Sequence, residues 1–83
     1  KDIKEIRQEI NQIDKDMATL FEKRMNLVKD VAVYKKERAL PLYDEARENE
    51  IINSNSSYIQ NEEVKNYYVD FLRSTMDITK AYQ

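Results

Sequence analysis

Arg24 stands where the sequence pattern calls for an apolar side chain. The helical repeat runs Ile3, Ile6, Ile10, Ile13, Met17, Leu20, Leu27, Val31 and Tyr34, and Arg24 takes the a position between Leu20 and Leu27. An unpaired buried guanidinium costs several kcal/mol, so it needs either a protein carboxylate or an anionic ligand. The plainer alternatives are a buried pair that fixes helix register, or a side chain that snorkels to solvent. The adjacent e stripe reads Arg7, Asp14, Phe21, Val28 and Lys35, which sets Lys35 eleven residues beyond Arg24 on nearly the same face. Lys35 is followed by Lys36, Glu37 and Arg38 and also reads as an ordinary solvated lysine. Asp44, Arg47 and Glu48 lie at i, i+3 and i+4 and project to one side of a second helix, where an N-cap with a surface ion pair is the plain alternative. Thr79 and Gln83 are one turn apart on a common face near the end of the chain.

The chemistry open to such a set is the holding of an anion by local geometry. With 14 basic and 16 acidic residues the net charge is −2, which gives no bulk attraction for nucleic acid or an anionic membrane. There is no Cys and no His. Disulfides, thiolate nucleophiles, the commonest general base and the usual soft metal sites are therefore absent, and serine-histidine and cysteine-histidine catalysis are excluded. No metal or cofactor is implied.

The elements that must position these groups follow from composition and period. Eighty-three residues with no Gly and a single Pro favour helix and lack the residues of tight hairpins, so the fold class is all-α. The seam has no helix breaker before Pro41, so the first helix spans about residues 2–38, roughly 55 Å at the usual rise. A compact domain of this length has a radius of gyration of about 12 Å, so the helix must protrude and needs a partner. The simplest partner is the same helix of a second copy, which predicts an intertwined homodimer. Leu40-Pro41-Leu42-Tyr43 breaks the first helix, and Asp44 caps a short second one over about 44–53. The run Asn53-Ser54-Asn55-Ser56-Ser57 reads as a second loop, because its side chains compete for backbone hydrogen bonds. Asn61, Glu62 and Glu63 open a third helix over about 61–82. Residues 1–83 thus form a single domain of three unequal helices, and no stretch approaches the roughly 20 apolar residues of a membrane span. A soluble, cytoplasmic protein is expected. The chain opens at Lys1 without an initiating Met, so a fused neighbour domain stays open.

Taken together these residues fall in an order that resembles the AroQ-type, all-α chorismate mutases over nearly the whole chain. The carriers in the first helix are Ile6-Arg7-Gln8-Glu9-Ile10, Asp14, Glu22-Lys23-Arg24-Met25 and Val31-Ala32-Val33-Tyr34-Lys35. Pro41-Leu42-Tyr43-Asp44-Glu45-Ala46-Arg47-Glu48 follows, and Phe71 to Gln83 looks like the family's closing segment. The resemblance implies a Claisen rearrangement of chorismate to prephenate, in phenylalanine and tyrosine biosynthesis, by a domain-swapped dimer whose two sites are each completed by Arg7 of the other chain. It further implies that Arg24 and the second Arg7 hold the substrate carboxylates and that Lys35 and Gln83 donate to the breaking ether oxygen. Glu48 and Asp44 would face the ring hydroxyl, with Arg47 and Thr79 supporting the carboxylate end. The family often has Ser where this chain has Thr79, and Gln83 is the last residue of the sequence.

Three other readings use the same features. One is a non-catalytic helical dimerisation module, and another is a chorismate- or prephenate-sensing regulatory domain of a fused shikimate-pathway enzyme. The third keeps the fold and changes the chemistry, for example elimination of pyruvate from isochorismate, since fold does not fix function.

Overall fold

The computed structural model describes residues 1–83 as three α-helices without a strand. They are α1 (Ile3–Glu37), α2 (Glu45–Ser56) and α3 (Glu62–Tyr82). The all-α expectation holds. Each helix opens on a side-chain cap of the kind that satisfies an otherwise orphaned N-terminal donor. Asp2 Oδ1 accepts from the Glu5 N–H at 2.8 Å, Asp44 Oδ1 from Arg47 at 3.0 Å and Asn61 Oδ1 from Glu63 at 3.0 Å.

The end of α1 is made differently from the sequence expectation. The Leu40 N–H donates to the Lys35 carbonyl at 2.8 Å and the Ala39 N–H to that of Lys36 at 3.3 Å, the paired bonds of a Schellman turn. Such a turn needs a left-handed residue, normally glycine, and Ala39 adopts it with φ 53° in a chain that has no glycine. The helix is thus stopped ahead of Pro41, which then holds the following segment out of the helix on its way to Asp44.

The expected loop at Asn53 to Ser57 is corrected as well, since α2 continues through Ser56. The polar side chains do not unravel the turn. Ser56 Oγ and Ser57 Oγ each donate to a carbonyl three residues back, at Asn53 and Ser54, and Asn55 and Ser56 are half-buried. Polar residues here reinforce the last turn instead of competing with it.

α3 is the common partner. It lies against both α1 and α2, which make no close backbone approach to each other. Its Phe71, Thr75 and Ile78 face Met17, Leu20 and Phe21, while Tyr82 and Gln83 reach Ala32 and Val33, so α3 runs in the same direction as α1. Only Val28, Leu72 and Met76 are buried, whereas Ile3, Ile6, Ile10, Ile13, Met17 and Leu20 remain exposed along the seam. The molecule is 54 Å long, the length of α1, and its radius of gyration is 15.9 Å. Its surface of 7059 Å² exceeds the roughly 5,200 Å² of a compact chain of this mass. No helix is long and apolar enough to cross a membrane.

Replacing Ala39 by glycine relieves the crowding of its Cβ against the backbone. We expect Ala39→Gly to stabilise the fold by about 0.5 to 1 kcal/mol in thermal or urea unfolding. A loss of stability would show that this residue is not held in the left-handed region.

Candidate functional site

The C-terminal half of α1, the first turns of α2 and the last two turns of α3 border a half-open cavity of about 200 Å³. Arg24 and Lys35 enter it from α1, Asp44, Arg47 and Glu48 from the α2 cap and its first turn, and Thr79 and Gln83 from α3. Its apolar wall includes Val28, Val31 and Met76. Seven of the eight residues singled out from the sequence therefore converge on one space. Arg7 does not. It lies 17 residues before Arg24 on the same straight helix, about 26 Å away along the axis.

The two α1 cations are held by neutral acceptors. Arg24 Nη1 donates to Thr79 Oγ1 at 2.6 Å, and that hydroxyl donates in turn to the Thr75 carbonyl at 3.0 Å. Lys35 Nζ donates to the Leu42 carbonyl at 3.0 Å. Neither forms an ion pair with any carboxylate of the chain, although both are half-buried. Within the chain, no carboxylate neutralises the Arg24 of the seam.

On α2 the plainer features are present too. Asp44 caps the helix, and Arg47 Nη1 pairs with Glu50 at 2.6 Å on the exposed side. Gln83 is half-buried, and its backbone N–H donates to the Thr79 carbonyl at 3.1 Å, which closes the last turn of α3 and directs the residue toward the cavity. A larger opening beside the site, about 530 Å³, is mostly apolar and shares only Leu42 and Gln83 with it.

Sequence reasoning missed one charged wall residue, Lys80, whose Nζ is 3.5 Å from Glu48 Oε2. The signal was there, because Leu72, Met76 and Lys80 are spaced by four and the first two are the buried residues of α3. Lys80 is paired with Glu48 and Asp77, and Arg47 with Glu50, so two cations of the cavity, Arg24 and Lys35, have no carboxylate partner. Such a pair suits a dianion. No cluster of acidic side chains is placed to hold a metal ion.

The family model described as chorismate mutase type II matches residues 6–83. The chain belongs to the chorismate mutase type II family. Membership makes it an isomerase of aromatic amino acid biosynthesis, with chorismate as its substrate. No solved structure gives a significant match to the chain.

A cavity with two such cations should bind small dicarboxylates reversibly. We expect a cyclic dicarboxylate at about 100 times its Kd to stabilise the protein by about 2.7 kcal/mol, read as a rise in Tm. The same titration of Arg24→Ala should give no rise, and an equal rise would place the anion elsewhere.

Proposed function

We propose that the cavity between the three helices is where this chain, as a single domain over residues 1–83, converts chorismate to prephenate, and that a second copy completes it. The observation that carries this reading is the pair of cations Arg24 and Lys35, half-buried together in one cavity and bonded only to a hydroxyl and a carbonyl. Charges left without a carboxylate partner are suited to an incoming anion.

The rearrangement breaks an ether C–O bond and forms a C–C bond within one molecule, so no nucleophile and no proton relay is needed. Catalysis rests on folding the flexible enolpyruvyl side chain over the ring and on stabilising negative charge that grows on the ether oxygen. Arg24, directed by Thr79, holds one substrate carboxylate, with Arg47 beside it. Guanidinium suits this task because its planar fork matches a carboxylate in two bonds. Lys35 and Gln83 donate to the ether oxygen, and these bonds strengthen as the oxygen becomes more negative, which favours the transition state over the ground state. Glu48 and Asp44 accept from the ring hydroxyl.

Arg7 reaches the site only from another molecule. Within one chain it is 28 residues from Lys35, about 42 Å along α1. An antiparallel pairing of two α1 seams would bring the Arg7 of each copy to the other's cavity while covering the exposed Ile3 to Leu20 stripe. The surface excess of about 1,800 Å² per chain over a compact monomer is of the size that obligate dimers bury. A cytoplasmic location belongs to the same proposal and rests on the biosynthetic role of the family.

Loss of chorismate's ultraviolet absorbance, with prephenate identified by mass and by acid conversion to phenylpyruvate, tests the activity directly. Lys35→Ala should lose about 10²- to 10³-fold in kcat/KM, the usual effect of removing one such donor. Near-normal turnover by that variant would remove Lys35 from the mechanism. Sharing of the site has its own test: Arg7→Ala and Arg24→Ala proteins, each inactive, should regain activity when mixed and re-equilibrated, because half of the sites in a mixed dimer are then intact. Mixtures that form heterodimers and stay inactive would show that Arg7 plays no part across the interface.

A further inference from the structure

Lys80 has no part in the reaction as described above, yet its ammonium sits at a junction of three elements. Nζ is 3.5 Å from Glu48 Oε2 on α2, 3.6 Å from Asp77 Oδ1 on its own helix and 4.9 Å from the centre of the Tyr43 ring in the segment before α2. Lys80 and Glu48 also line a second, polar cleft of about 330 Å³ together with Tyr43, Asn49 and Arg73. The pair is thus part of the wall between that cleft and the cavity. The Glu48 side chain is 23% exposed, less than any other member of an ion pair in this molecule.

Glu48 faces a competing choice. The cavity it borders also holds Arg24 and Lys35, and a carboxylate free to rotate onto either cation would neutralise it, whereas one held at the α2–α3 wall can face the ring hydroxyl and leave both cations free. In the structure it pairs with neither, and its only ion pair is to Lys80. Lys80 is well placed to prevent that rotation. Its side chain is 41% exposed, and contacts to Asp77 and Tyr43 hold the ammonium from two sides besides that of Glu48.

We propose that Lys80 is a positioning residue that holds Glu48 against the α2–α3 wall and so keeps the charges of Arg24 and Lys35 available to the substrate. This rests on the cavity being the substrate site. An apolar residue at position 80 would release Glu48 to compete with the substrate, whereas arginine would keep it in place. The effect therefore appears in binding and depends on the carboxylate of Glu48.

The experiment compares wild type, Lys80→Met, Lys80→Arg, Glu48→Gln and the double variant Lys80→Met/Glu48→Gln. Prephenate affinity is measured calorimetrically for all five, and KM for those that turn over chorismate. Lys80→Met should weaken binding about fivefold, the upper range for one partly exposed ion pair, with Tm little changed, and Lys80→Arg should restore most of that loss. In the Glu48→Gln background the methionine substitution should add nothing. Unchanged binding in Lys80→Met would overturn the proposal, and so would an equal loss in both backgrounds, which would mean that Lys80 touches the ligand itself. If Lys80→Met does not fold, Lys80→Gln gives the same comparison. Failure of the wild type to bind prephenate or turn over chorismate would count against the site assignment and is read separately.

Discussion

The bond from Arg24 to Thr79 joins α1 to α3, and it is the one side-chain hydrogen bond between those helices. Its acceptor is a hydroxyl, so it fixes the direction of the guanidinium without cancelling its charge. Thr79 can serve because a hydroxyl both accepts and donates: it accepts a hydrogen bond from Arg24 and donates one to the Thr75 carbonyl one turn back. The β-branched side chain has few rotamers, which further restricts the oxygen. The position of the seam arginine is therefore set by the register of α3 against α1. A carboxylate at position 79 would tie the helices together more strongly and neutralise the group that the cavity presents.

Lys35 is governed in the same way by the end of its own helix. Its carbonyl accepts the closing bond of the Ala39 turn, and its ammonium donates to the Leu42 carbonyl seven residues on. The turn thus sets where the chain goes after α1 and where the lysine points. Both cations of α1 are consequently fixed by backbone or hydroxyl acceptors that carry no formal charge. A pericyclic reaction within one substrate molecule asks for this kind of arrangement, in which orientation and electrostatics do the work and no group need change its protonation state.

Much of this was legible in the sequence, because helices with a regular apolar period are strong signals and the polar residues set against that period line the cavity. Arg24 was visible as a charge on an apolar stripe, and the one-turn spacings Asp44 to Glu48 and Thr79 to Gln83 placed their side chains on common faces. The end of α1 was harder to read. Pro41 is a conspicuous breaker, and a left-handed alanine two residues earlier gives no compositional sign. The Asn/Ser run was misread because its side chains can either oppose or support a helix, and the outcome depends on the half-burial of Asn55 and Ser56, a tertiary fact. Lys80 was passed over because a lysine near the end of a helix usually faces water. It is partly exposed here as well, but its ammonium reaches Glu48 on α2 at 3.5 Å.

The cost of the arrangement falls on a fold with little stability to spare. Three buried residues make a thin core, and the cavity sets Arg24 and Lys35 between the helices with no carboxylate partner to help join them. Functional sites commonly give up stability in this way, and other parts of the molecule must offset it. The exposed seam from Ile3 to Leu20 is a long apolar stripe, and it runs from the far end of α1 to within one turn of Arg24. If a second copy covers that seam, association supplies stability that the cavity does not. The length of α1 would then have a physical purpose under the proposed pairing: it would present an apolar stripe for a second copy and carry Arg7 far enough to reach that copy's cavity.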